Sequence, residues 1–377
     1  MISQCEQIKQ EYEDLKTLKR EFDLEYKKAK AATTSDFAKT KELKAELEQK
    51  IDALQNKVWP FEGLLQTEAK EQYEQAISGY REFGWLKTLV LGQEGIIDEN
   101  GQEYPVPSFR EIQKALLAKK EFFAEKFAVM ENPRIHLTPF ALSPTAMADG
   151  YGRQIEDHFA EAKVDKDVRI PDQHKTKLFG VDGEPLELRA DKQNVYFDDA
   201  LKNLTYFPVW QDRAGSITAD SGLTKEQALA KLGGWQVSII EDIPLSPIEG
   251  QGKTMEKKIK IKGKTKKVNR TPVTGGINAA KQYELLKQQN ETGFTLEDWL
   301  SFARLHLKEK KVILDDDQHA GYYCRLLGAG TAVGNVPVAY WDRVSRLAYL
   351  GWNFPGDFDS DDGVRRAVRV EILKFKL

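Results

Sequence analysis

The sequence predicts an α+β protein whose first third is all helical, and three observations carry that prediction. Apolar residues recur at helical spacing up to about residue 130. From Pro133 the texture changes to short apolar runs broken by glycine and proline. Within that second region strands come first, then two helices, then strands again. At 377 residues the chain is long enough for roughly two or three domains and at least one sizeable core. The expected division is a helical hairpin or coiled coil over 1–60, further helices over 61–130, and one α+β domain over 131–377.

Taken in order, Ile8, Tyr12, Leu15, Leu18, Phe22, Tyr26 and Ala29 keep one apolar stripe on a first long helix. "AATTSD" interrupts it, and Ser35 is placed to cap a second helix carrying Leu43, Leu47, Ile51, Leu54 and Val58, which Trp59-Pro60 ends. The pair fits a hairpin closed on itself as well as an oligomeric coiled coil. A further helix is expected from Thr67 to Arg81. Another starts at the capping box of Ser108 and Glu111 and carries Ile112, Leu116, Phe123 and Phe127 as far as Asn132-Pro133. Packing and oligomerisation are the roles expected of these helices.

Beyond Pro133, "WQVSIIEDIPL" reads as a buried strand. "KTMEKKIKIKGKTKKVNR" then reads as a hairpin with lysines on its wet face, where they guard a sheet edge. One helix covers Ala279 to Gln289. The next starts at Thr295, boxed with Asp298, and carries Trp299, Phe302, Ala303 and Leu307. After Asp315 the chain turns β-like again.

Composition narrows function. The formal charge of −3 gives no global reason to expect nucleic acid, and the lysine hairpin is the one local exception. Cys5 and Cys324 lie at opposite ends, which fits a reducing compartment, and the absence of an apolar run of about eighteen residues fits a cytoplasmic protein without a membrane partner. The five histidines have no metal-ligand spacing, and no nucleophile elbow, phosphate loop or dinucleotide glycine pattern occurs. Neither an enzyme nor a cofactor is expected. "GDFDSDDG" puts Asp357, Asp359 and Asp361 at positions one, three and five of a calcium loop. Position six is Asp362 and position twelve is Val368, so the EF-hand pattern fails; no metal is assigned, and calcium in some other geometry stays open.

One stretch, "VPVAYWDRVSRLAYLGWNFPGD", alternates. From Ser345 onward the odd positions are Ser345, Leu347, Tyr349, Gly351 and Asn353, a chemically mixed set. The even ones include Ala348, Leu350 and Trp352, which suit a face laid on a core. A mixed face fits a recognition surface as well as an ordinary solvated one.

"ETGFTLEDWLSFARLHL", "VPVAYWDR", "LAYLGWN" and the terminal "GVRRAVRV" together resemble the variable proteins of diversity-generating retroelements, over about residues 275–370. "GGWQVSIIEDIPL" is moderately similar, and the first 130 residues show no likeness. The resemblance implies a C-type lectin fold of the formylglycine-generating-enzyme branch over 131–377. It also implies a gene end rewritten at adenines, so that asparagine codons become other residues on a fixed scaffold. The implied variable, ligand-binding set is Asp342, Arg343, Ser345, Leu347, Tyr349, Gly351, Asn353, Phe354 and Asp357, each reachable from an asparagine codon by changing adenines alone. Trp341 and Trp352 are not reachable and fall to the scaffold. Tyr340 and Phe358 join the set as aromatic anchors beside Tyr349, Phe354 and Arg343, since interface energy concentrates in such residues. "GVRRAVRV" is then the last strand, locking the aspartate loop back onto the domain, although the family more often has proline where Arg366 stands. The oxidase chemistry of the formylglycine-generating relatives needs reactive cysteines and is not carried over, because Cys324 stands alone in this region. The implied function is ligand binding, with protein as the expected ligand class. The competing readings are an assembly protein with an oligomerising stalk and nucleic-acid binding through residues 253–270.

Overall fold

The computed structural model describes residues 64–164, 194–213, 215–243, 255–261, 264–270, 275–315, 323–357 and 362–372, with a few positions before residue 62. The chain divides into two compact units, Met1–Phe61 and Glu62–Leu377. In the first, residues 14, 16–21, 23 and 46 are helical, and the other residues of the two expected amino-terminal helices lie outside the described residues.

The second unit mixes helices and strands, as the α+β expectation requires. It opens with α1 (Gln66–Glu82), a meander of β1 (Lys87–Thr88), β2 (Glu94–Ile97) and β3 (Glu103–Pro105), then α2 (Phe109–Ala118), α3 (Lys120–Val129), β4 (Pro133–Thr138) and α4 (Pro144–Val164). β5 (Val195–Phe197), β6 (Leu204–Tyr206), the hairpin β7 (Val209–Arg213) and β8 (Ser216–Asp220), α5 (Lys225–Leu232) and β9 (Gln236–Glu241) follow. The lysine hairpin is β10 (Met255–Ile261) with β11 (Lys264–Arg270), and α6 (Ala279–Gln288), β12 (Thr292–Gly293) and α7 (Leu296–Lys310) come next. The chain closes with β13 (Tyr323–Arg325), β14 (Ala329–Thr331), β15 (Val336–Asp342), β16 (Leu347–Asn353), β17 (Asp362–Val364) and β18 (Arg366–Val370). Among the described residues no helix is long and apolar enough to cross a membrane.

Local sequence chemistry sets several of these boundaries. The hydroxyl of Ser108 accepts from the Glu111 amide at 3.3 Å while the Glu111 carboxylate accepts from the Ser108 amide at 2.7 Å, which starts α2. The single helix expected after Ser108 is in fact two, because Lys119 leaves helical geometry at φ −117 and ψ 41. Ile112, Leu116, Phe123 and Phe127 are all buried nonetheless. A boundary near residue 130 does not divide the structure, because α1 covers the free edge of β4. Gln72 Oε1 accepts from the Ile135 amide at 3.0 Å, and the Tyr80 hydroxyl donates to the Leu137 carbonyl. An edge strand needs such partners for its unpaired backbone groups, and the helix supplies them.

Two sheets frame the core. One has the strand order β12-β18-β9-β4 and the other β17-β13-β15-β16-β5. In the second, β13–β15 and β15–β16 pair antiparallel, whereas β13–β17 and β16–β5 pair parallel. Helix α7 touches β4 of the first sheet and β15 of the second, with α1 and α4 alongside, and every residue from Leu296 to Leu307 is buried. A helix enclosed in this way must find internal partners for its polar side chains. Glu297 accepts from the Tyr206 hydroxyl at 2.7 Å and pairs with Lys225. Asp298 accepts from Thr138 Oγ1 at 2.5 Å, from its capping partner Thr295 and from Arg369 Nη1 at 2.9 Å. Ser301 meets His136 Nε2 at 3.0 Å.

The terminal strand is held by arginines. Arg365 grips Asp315 through two nitrogens, with Nη2 to Oδ1 at 2.6 Å and Nε to Oδ2 at 2.8 Å, and both side chains are almost wholly buried. Arg366 lies 3.2 Å from Glu241, and Arg369 reaches Asp298. Val364, Ala367, Val368 and Val370 are all buried between these contacts. Asp315 also accepts from Trp299 Nε1 at 2.8 Å. Replacing Asp315 by alanine strands a buried guanidinium and an indole N–H together, so Asp315→Ala is expected to cost roughly 3–5 kcal/mol in a denaturant titration. An unchanged midpoint would contradict this account of the strand.

Burial pulls the imidazole of His136 down from 6.5 to about 4. In the unfolded chain the same ring takes its proton near 6.5, so the unfolded state binds more protons throughout the window between those values. Stability is therefore complete above pH 6.5 and falls as the pH drops toward 4, by on the order of 3 kcal/mol at 1.36 kcal/mol per pH unit. Denaturant midpoints of His136→Gln, compared with those of the parent chain across this range, should lose that part of the slope.

Candidate functional site

The β15–β16 hairpin turns through residues 343–346. Asp342 Oδ1 accepts from the Val344 amide at 2.8 Å and the Ser345 amide at 3.0 Å, and Arg346, at φ 57, completes the reversal in left-handed geometry. Ser345 thus belongs to the turn, and the strand begins at Leu347. This corrects the extended reading from Ser345, because the Asp342 carboxylate supplies a local alternative to strand pairing.

Along β16 the expected alternation holds at its centre. Ala348 and Leu350 are in the core with Ala339 and Trp341 of β15, while Tyr349 stands on the other face, half-buried, opposite Tyr340. Two members of the mixed set are less accessible than expected. Leu347 is buried, and Gly351 is covered because the Tyr349 ring leans along the strand into the space that a Cβ at 351 would occupy. Trp352 is half-buried rather than enclosed, since the core cluster ends at Leu350. Its ring lies edge-on to Phe354 at 5.5 Å, and Phe354 is 61% exposed.

Sheet pairing extends the tyrosine pair into a row. Tyr349 stacks on Tyr196 of β5 at 5.0 Å between ring centroids with 19° between planes. Tyr340 follows at 5.1 Å, and Tyr323 of β13 lies 4.5 Å beyond Tyr340. These intervals are close to the inter-strand spacing of about 4.8 Å, as expected when one aromatic stands at the same register on each of four neighbouring strands. Tyr196 is 42% exposed and the other three rings are half-buried.

Polar groups border the row. The Tyr196 hydroxyl donates to Asp198 Oδ2 at 3.1 Å. That hydrogen bond, with a smaller contribution from burial, raises the phenol of Tyr196. Burial, then the charges of Asp198 and Asp342, raise that of Tyr349. Both therefore stay protonated at neutral pH as hydrogen-bond donors. Arg343 is half-buried in the turn.

At the far end of the same sheet face, Asn353 Nδ2 approaches Asp362 Oδ1 at 3.5 Å, and the exposed Asp357 lends its carbonyl to Arg325 Nη2 at 2.7 Å. Arg325 and Asp362 form a fully buried ion pair. Asp362 is therefore engaged by a guanidinium, and among the described residues no group of three metal-ligating side chains occurs. Phe358, Asp359 and Asp361 lie outside the described residues.

The surface offers a run of neighbouring aromatic rings that carry phenol hydroxyls, a combination suited to binding. Cys324 sits on the core face of β13, buried, with burial pushing its thiol well up and away from reactivity. Tyr196 and Tyr323 escaped sequence reasoning. "NVYF" does alternate, but nothing local tells that this short strand pairs in parallel with β16, about 150 residues later. No protein-family model, curated protein or solved structure matches this chain.

Proposed function

We propose that the chain is a binding protein that presents the tyrosine-lined sheet face to a macromolecular ligand of protein class, on a scaffold of C-type lectin type resembling the variable proteins of diversity-generating retroelements. The single observation that supports this reading most is the row Tyr196-Tyr349-Tyr340-Tyr323, an aromatic surface on the sheet face opposite the core. Tyrosine supplies large, rigid contact area at low entropic cost and carries a hydroxyl for orientation, which is why it dominates adaptable recognition surfaces. In this reading Tyr349 is varied within the row, and Asp342, Arg343, Ser345, Asn353, Phe354 and Asp357 are varied around it. Leu347 and Gly351 are varied within its floor, and Tyr196 and Tyr323 are fixed anchors contributed by scaffold strands. The amino-terminal unit would serve assembly.

Nucleic-acid binding through the lysine hairpin has less support, because Lys266 pairs with Glu125 and Lys267 with Glu256. That alternative requires DNA or RNA affinity falling steeply with salt.

Sequencing the 3′ end of this gene across natural isolates, together with the flanking DNA, tests the proposal. Adenine-derived differences are expected at the codons for residues 342, 343, 345, 347, 349, 351, 353, 354 and 357, with Trp341, Trp352, Tyr196 and Tyr323 unchanged and an adenine-differing repeat beside a reverse transcriptase gene. Differences spread evenly along the gene would refute it. For any ligand recovered, Tyr349→Ala should weaken binding by about 1 kcal/mol or more in calorimetry.

A further inference from the structure

A second site lies apart from the tyrosine face, around the carboxyl-terminal half of α7. A cavity of about 340 Å³ there has Phe83, Arg153, Gln154, Asp157, Arg304 and Lys311 in its lining, together with the pair Glu82 and Lys308. Arg304 belongs to the enclosed helix and is only 6% exposed. Its guanidinium carbon lies 3.9 Å from the Phe83 ring and 4.7 Å from the Trp85 ring, so aromatic faces cover the flat side of the cation. Nε donates to Gln154 Oε1 at 3.0 Å. Room for the remaining nitrogens is made by Gly150, where a Cβ would stand 2.5 Å from Nη1.

What the guanidinium lacks is a counter-charge. Every other buried arginine and acid described above meets an opposite charge: Arg365 with Asp315, Arg325 with Asp362, Arg369 with Asp298. Among the described residues no carboxylate pairs with Arg304, and no acceptor bonds to Nη1 or Nη2. Burial, and then the charge of Arg153, pull its guanidinium down from 12.5 to about 10. Desolvating a cation without a partner is costly, and a bound anion is the direct way to offset that cost. The surroundings favour one. Lys308 and Glu82 neutralise each other at 2.6 Å, which leaves Arg153, Arg304 and Lys311 against Asp157, two positive charges in excess. Lysines near the end of a helix are ordinary complements to its dipole, so the argument rests on Arg304, which lies well before the last turn.

We propose that this cavity binds a phosphate-bearing small molecule, with the Nη1 and Nη2 edge of Arg304 holding two phosphate oxygens and Arg153 and Lys311 supplying the remaining charge. A planar fork with two parallel N–H donors matches an oxyanion. The excess of two positive charges suits a dianion better than a carboxylate. The volume exceeds that of phosphate alone and falls at the lower end of the roughly 300–1,000 Å³ typical of small-molecule sites.

The test uses the full chain, with inorganic phosphate and phenyl phosphate as probes and acetate and chloride at matched ionic strength as controls, read by thermal shift and calorimetry. A saturable rise in Tm with both phosphates, beyond that with chloride, is expected. The surface double variant Arg153→Ala/Lys311→Ala should weaken the response about tenfold, a loss of roughly 1.4 kcal/mol. Arg304→Gln should abolish it; should that variant not fold, the surface pair still decides the matter. A flat response to both phosphates overturns the site, as does one that the surface pair leaves unchanged. An equal response to acetate overturns the ligand class.

Discussion

The carboxylate of Asp298 is the junction on which the second unit depends. It caps α7 through Thr295, receives Thr138 from β4 and Arg369 from β18, and sits at 1% exposure. Burial by itself would raise its pKa, but Arg369 and the hydrogen bonds from Thr138 and Thr295 outweigh that and hold it at about 2. One ionised group thereby fixes where the central helix begins, how far it lies from the first sheet, and where the last strand returns. Removing Arg369 would leave that charge uncompensated in a place where water cannot reach it.

The same logic extends along the terminal strand. Arg365, Arg366 and Arg369 each meet a carboxylate from a different part of the chain, Asp315, Glu241 and Asp298. Apolar packing alone would tolerate small slips of β18, whereas directional ion pairs with hydrogen bonds admit one register. Beside that strand, Arg325 holds the Asp357 carbonyl and the Asp362 carboxylate together. The anchoring groups here are the side chains of Arg325, Asp362 and Asp315.

Two ways of using polar groups thus coexist around α7. Toward the sheets, every buried charge is matched, which gives rigidity. Toward α1 and α4, Arg304 is dressed with aromatic rings and Gln154, and among the described residues no carboxylate pairs with it. The tyrosine row is a third arrangement, with its phenols aligned by strand spacing on the face away from the core.

Sequence by itself determined the elements whose causes are local. The capping boxes at Ser108 and Thr295, the lysine hairpin, the buried strand Gln236–Glu241 and the core side of Ala348 and Leu350 follow from side chains within a few residues of one another. Local reading failed where a distant partner decides. Trp352 lay just past the end of the core, and α1 belonged to the edge of β4 rather than to a separate helical region, whereas the Asp342 carboxylate that takes Ser345 into a turn is a local cause, three residues away. Tertiary structure alone brought Tyr196 and Tyr323 into one row with Tyr340 and Tyr349, and alone set Arg304 between the Phe83 and Trp85 rings. The physical reason is the same in each case: periodicity records which face a residue occupies, whereas its neighbour on that face is chosen by strand pairing and helix packing across long stretches of chain.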